Sequence, residues 1–212
     1  MAPEEKLTQL FKRTSEYHKA VSRIFHDLSV LEDPRCMVSF PSVYLSIEHA
    51  IGAHTLIALG MNSSGYILYR PQFETLIRGM WLLYAADDVQ LINLLEQMSL
   101  ESEIQQKKHI NLSKMLKHLE NSKAPKHIIE QLLEFRDITL KPLNSFVHGG
   151  TYPMVMSLTT YPLEISFNTL LNSNALVAIA SQLAVNLSGD TSKIDSVKDL
   201  HENFSDCLRI IK

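Results

Sequence analysis

Cysteine is scarce: Cys36 and Cys207 are the only two in 212 residues, which excludes a disulfide scaffold and a cysteine-built zinc centre. Seven glycines and eight prolines are too few to turn the strands of an all-β chain. Neither sign of charge dominates. Twenty Lys and Arg against 23 Asp and Glu leave a net charge of −3 with histidine neutral, which excludes both a generally basic nucleic-acid coat and an acidic tail. The phosphate loop, the glycine fingerprint of dinucleotide sites, the Gly-x-Ser-x-Gly elbow and the kinase signatures are all missing. The longest apolar stretch, Asn174 to Leu187, is broken by Ser181 and Gln182 and falls short of a bilayer span. The opening Met1-Ala-Pro-Glu-Glu-Lys lacks the basic and then apolar order of a secretory signal. These absences lead to the expectation of a cytoplasmic chain with reduced thiols and no membrane segment.

What is present is helical periodicity in a composition that is 45% hydrophobic and 20% charged. From residue 4 to 31, Leu7, Leu10, Tyr17, Val21, Phe25 and Leu28 recur at mostly three- and four-residue steps. Asp33-Pro34 is expected to end that helix, and Ser42, after Pro41, to cap a second one reaching Leu59. A third helix over about 65–86 is apolar nearly all round and belongs at the centre of a bundle, with Pro71 kinking it or resetting its start. Residues 87–119 read as one helix or two, 125–139 as another, and a short helix through His148 stops at Gly149-Gly150. Residues 151–164 hold two Tyr-Pro pairs and read as a loop. Helices over 165–187 and 194–211 complete the chain. The expected fold is all-α, a single domain over 1–212 formed by a bundle of six to eight helices.

Three groups of residues carry candidate chemistry. Arg70, Glu74 and Arg78 are four apart on one face of the central helix, so Glu74 is placed to orient two guanidinium groups toward an anion, or to neutralise them structurally. Asn144 and His148 share a helix face before Gly149-Gly150. An imidazole beside an amide and near cations is suited to take a proton from a ribose 2′-hydroxyl; a histidine there also suits a helix C-terminus. Lys107, Asn111, Lys114 and His118 form a basic strip opposite Leu112, Leu116 and Leu119, a pattern that tracks a nucleic-acid backbone or simply faces solvent. No histidine spacing suits a metal, and no cofactor is expected. Cys36 has no evident helix N-terminus to activate it.

The segment from Tyr66 through Arg70 and Glu74 to Arg78, followed by Trp81-Leu-Leu-Tyr84 and later by Asn144-Ser-Phe-Val-His148-Gly149, resembles uncharacterised bacterial helical domains similar to the HEPN superfamily. The resemblance spans about 42–150. It implies a dimeric helical bundle that handles RNA or nucleotides. Many such proteins are metal-independent ribonucleases of toxin–antitoxin or defence systems; others bind a nucleotide, RNA or protein partner. Their motif, an arginine and a polar residue followed at a short distance by histidine, places Asn144 at the polar position and His148 at the histidine. Leu143 stands where the arginine belongs. That departure favours a non-catalytic binding module over a ribonuclease with His148 as general base, unless Arg70, Arg78 or Lys141 supplies the cation.

Overall fold

The computed structural model describes residues 2–98, 110–159 and 161–209, with all their side chains except those of Gln97, Lys141 and Pro142. The described residues are all-α. Ten α-helices follow one another: α1 (Pro3–His26), α2 (Pro34–Ala58), α3 (Asn62–Tyr84), α4 (Asp88–Met98), α5 (Leu112–Glu120), α6 (Lys126–Phe135), α7 (Lys141–Val147), α8 (Thr151–Leu158), α9 (Leu163–Ser188) and α10 (Ser192–Asn203). The count exceeds the expected six to eight, because several breakers shift a helix boundary instead of abolishing the helix.

α2 is the first such case. Asp33 accepts from the Arg35 and Cys36 amides at 2.9 and 3.1 Å, and Pro34 occupies the first turn, where a missing N–H costs nothing. That start is strong enough to carry Pro41 inside the helix, so Ser42 is not a cap. The thiol of Cys36 therefore does sit in a first helical turn. It gains no activation there, because burial and then the Asp33 carboxylate push its pKa up.

Beyond α6 a π-turn, Arg136–Leu140, leads straight into α7. Pro142 falls in the first turn of α7, so Lys141-Pro142 resets the helix without interrupting it. Residues Thr151–Leu158 form α8 where a loop was expected, since Pro153 again lies in a first turn. At the other end, α10 stops at Asn203. The chain then folds back through a 3₁₀ turn, Ser205–Cys207, and buries Cys207 in the core.

α3 is the centre of the packing. Tyr66, Tyr69, Phe73, Leu76, Ile77 and Leu82 are all essentially inaccessible to solvent. α2, α9, α5 and α7 cover it between them. Gly79 lets α2 come close, because a Cβ there would meet Val43 Cγ2 at 2.8 Å. Arg35 closes the C-terminal end of α3, donating to the Ala86 carbonyl at 2.8 Å and to Asp88 Oδ1 at 2.9 Å. Buried amides stitch the helices together. Gln72, fully buried, donates to the Ser173 carbonyl at 2.9 Å and accepts from the Ser173 hydroxyl at 2.8 Å. Asn174 on α9 donates to Thr14 Oγ1 and to the Cys207 carbonyl at 2.8 and 2.9 Å.

α9 as a whole is long and apolar enough to cross a membrane, although its most apolar core, Asn174 to Leu187, is too short on its own. In the fold, 67% of its most hydrophobic window is buried among the other helices.

Two predictions test this packing. Gln72→Ala leaves both Ser173 partners unpaired in the core and opens a cavity, so urea unfolding is expected to show a loss of about 2–4 kcal/mol. His18, buried on α1, has its pKa lowered from 6.5 to about 3, first by burial and then by His54. The unfolded chain binds the extra proton, so the stabilising effect is complete above pH 6.5 and is lost as pH falls toward about 3. Unfolding free energies measured at pH 7 and pH 5 should differ by about 2 kcal/mol on this account, and His18→Leu should flatten the slope.

Candidate functional site

The three sequence candidates are redistributed along α3. Its N-terminal half meets α7 and its C-terminal half meets α5. Arg70 Nε donates to Glu74 Oε1 at 2.7 Å, and Arg70 Nη1 donates to Asn144 Oδ1 at 2.8 Å. Two residues 74 positions apart are thus in direct contact. The Arg70 and Glu74 side chains are about one-third exposed, so this clasp lies at the surface edge of the α3–α7 seam. Below it, Leu143 and Phe146 of α7 enter a small apolar cluster with Ala53, Tyr66 and Tyr69. Leu143 therefore packs inward, whatever the residue at that position does elsewhere.

Glu74 does not orient two guanidinium groups. It pairs with Arg70 alone, and Arg78 turns away toward α5. The reason is local: Asn144 holds Arg70 on the α7 side, while Arg78 lies two turns further along, beyond the reach of α7. The Lys141 side chain lies outside those described.

His148 caps α7. Its ring is exposed and makes no hydrogen bond to any described residue, so nothing here fixes its orientation. Asn144 Oδ1 is already engaged by Arg70 and is not turned to the imidazole. Gly149-Gly150 ends the helix in a Schellman arrangement: Gly150 N donates to the Ser145 carbonyl at 2.8 Å, Gly149 N to the Phe146 carbonyl at 3.4 Å, and Gly149 has a φ of +60°. A Cβ on Gly150 would run into Ser145, so the glycine pair serves helix termination and not the close approach of a ligand.

The basic strip becomes a wall of a cleft. Asn111 is the N-cap of α5, its Oδ1 accepting from the Lys114 amide at 2.9 Å, and it lines the same cleft as Lys114 and His118; Lys107 lies outside the described residues. Lys114, Lys117 and His118 face Arg78, Trp81 and Tyr84 of α3 across the cleft, with α4 as a third side. Trp81 Nε1 donates to His118 Nδ1 at 3.3 Å, which leaves the His118 proton on Nε2 in the neutral ring. Arg78, Lys114 and Lys117 form no ion pair among the described residues. Trp81 is 5% exposed and belongs to the core, as the apolar character of the helix implies, while Tyr84 is half-buried at the cleft wall. The spacing Arg78–Trp81–Ala85, three and then four, was the available sign that this stripe faces the same way as the cation. Among the described residues no group of three or more His, Cys, Asp or Glu is arranged to hold a metal.

If the clasp is a unit, Arg70→Ala and Asn144→Ala will not add. A double-mutant cycle by denaturation is expected to give a coupling of about 0.5–1 kcal/mol, small because the pair is part-exposed; strict additivity would dissolve the clasp.

Residues 43–210 match the model of DUF6988, a family of unknown function, and the chain belongs to that family. No curated protein and no solved structure matches it.

Proposed function

For this member of a family without an assigned activity, we propose a non-catalytic, HEPN-like helical module that binds RNA or a nucleotide in the cleft between α3, α4 and α5. One observation carries the reading: three cations without carboxylate partners among the described residues, Arg78, Lys114 and Lys117, share a cleft with Trp81 and Tyr84. The cations supply the attraction for phosphate, and the half-buried Tyr84 ring supplies a stacking surface that does not depend on base identity, with the buried Trp81 behind it. The unheld His148 ring and the Leu143 side chain, packed inward, argue on the same side, because neither a positioned base nor the motif's own cation is in place.

Trp81 is the only tryptophan of the chain, which makes its emission a direct reporter. Titration with a short single-stranded RNA at low salt should change Trp81 fluorescence saturably, and binding should weaken as salt rises. Arg78→Ala and Lys114→Ala should each weaken it by about tenfold, with a shallower salt dependence. If neither RNA nor a mononucleotide alters the emission, the cleft is not the binding site.

A second reading has its own support. Arg70 reaches Asn144 from α3 and so brings a guanidinium to the motif that lacks one. On that reading the chain is a metal-independent ribonuclease with His148 as general base. It requires cleavage of RNA in chelator that both His148→Ala and Arg70→Ala abolish. Pairing of two copies belongs to the same HEPN-like reading, and α8 supports it by carrying Met154 and Leu158 in the open. Sedimentation showing a strict monomer would count against that part.

A further inference from the structure

A second polar cavity lies between α1 and α2. One strip of α1, Ser15, His18, Lys19, Ser22 and Arg23, faces His54 and Thr55 of α2 around a cleft of about 390 Å³. The α1 residues recur at three- and four-residue steps, so a single helix face presents all five. This volume is in the ordinary range for small-molecule sites.

The floor of the cleft is the unusual part. His18 is only 4% exposed, and at most one of its ring nitrogens, the one toward Asn174, has a protein partner. Asn174 Oδ1 on α9 takes the proton of one ring nitrogen, which leaves the other nitrogen an acceptor without a partner. Buried polar atoms are nearly always satisfied, so an imidazole with one nitrogen open beside a polar cavity points to something that enters the cavity. His54 stands edge-on to His18, with ring centroids 5.5 Å apart. Its Nε2 lies 3.0 Å from the Phe11 carbonyl, which can only accept, so Nε2 carries the proton and Nδ1 of the neutral ring is an acceptor. Burial lowers the pKa of both histidines, which keeps them neutral.

At the mouth, Lys19 and Arg23 are exposed and form no ion pair among the described residues. Ser15, Ser22 and Thr55 also line the cleft; the Ser22 and Thr55 hydroxyls donate to the His18 and Ile51 carbonyls at 2.9 and 2.8 Å, so toward the cleft those two oxygens can only accept. The set therefore combines two fixed positive charges, one uncommitted neutral donor in the Ser15 hydroxyl, and several acceptors. A planar carboxylate uses only the donors. A phosphate group near neutral pH uses both kinds, since its oxyanions accept and its P–OH donates.

We propose that the α1–α2 cleft binds a phosphate group, held by Lys19 and Arg23 at the mouth and contacted by His18 and His54 at the floor. The site is separate from the α3–α5 cleft and does not depend on the function assigned to it. The phosphate belongs either to the free anion or to a small phosphomonoester.

The test uses full-length protein labelled with ¹⁵N-histidine, whose ring nitrogens are followed by NMR during titration with inorganic phosphate at constant ionic strength. The expected result is a saturable shift of the His18 and His54 ring signals. Lys19→Ala/Arg23→Ala, altering exposed residues only, should raise the midpoint at least tenfold. Lys114→Ala/Lys117→Ala, in the other cleft, should leave it unchanged, and sulfate, which has no proton to donate at this pH, should bind more weakly. A parallel titration with glycerol 3-phosphate separates the two sources: tighter binding than phosphate identifies an ester, weaker binding the free anion. Absence of any saturable shift at His18 or His54, or an unaltered midpoint in Lys19→Ala/Arg23→Ala, would overturn the proposal.

Discussion

α3 has almost no face that can be left in water, and the rest of the structure follows from covering it. Each large side chain it buries contributes on the order of 1.5–3 kcal/mol, a gain realised only when α2, α5, α7 and α9 all pack against it. The few polar groups on such a helix cannot be placed freely. Gln72 is sunk between α3 and α9 and must find both a donor and an acceptor there, which Ser173 provides. Arg70 and Arg78 escape only through the seams where two covering helices part. The position of the polar chemistry is thus a by-product of where the coverage of α3 is incomplete.

That geometry separates cations by their company. Arg70 is answered twice, by Glu74 and by Asn144, and its free energy lies mostly in holding α7 to α3. Arg78, with Lys114 and Lys117, has no such answer among the described residues. Repulsion within an unpaired cluster opposes folding slightly, and the cost is recovered when an anion arrives. A partnered arginine has little to gain from a ligand; an unpartnered group has much.

Much of this was legible in the chain. The all-α class, the central apolar helix and the stop at Gly149-Gly150 follow from periodicity and turn chemistry, which act over a few residues. Proline accounts for several of the helix boundaries that differ from expectation. Pro41, Pro142 and Pro153 were read as breaks, yet a helix started by a good cap carries one interior proline, and a proline in a first turn disturbs nothing. Pairings over long separations were not legible. Nothing local ties Arg70 to Asn144, or sends Arg78 to face Lys114 instead of Glu74, because those choices are made by how helices cross. His18 was hidden for a related reason: it falls on the edge of the apolar stripe of α1 and reads as surface until α2 and α9 close over it.

α1 places Tyr17 and Val21 in the core with no solvent exposure at all, while the segment shared with the family begins at residue 43, partway along α2. Inherited likeness and cooperative folding therefore have different borders in this molecule. A fragment cut where the kinship begins would lose one wall of its own interior and divide a continuous helix, so the smallest stable unit is larger than the recognisable one.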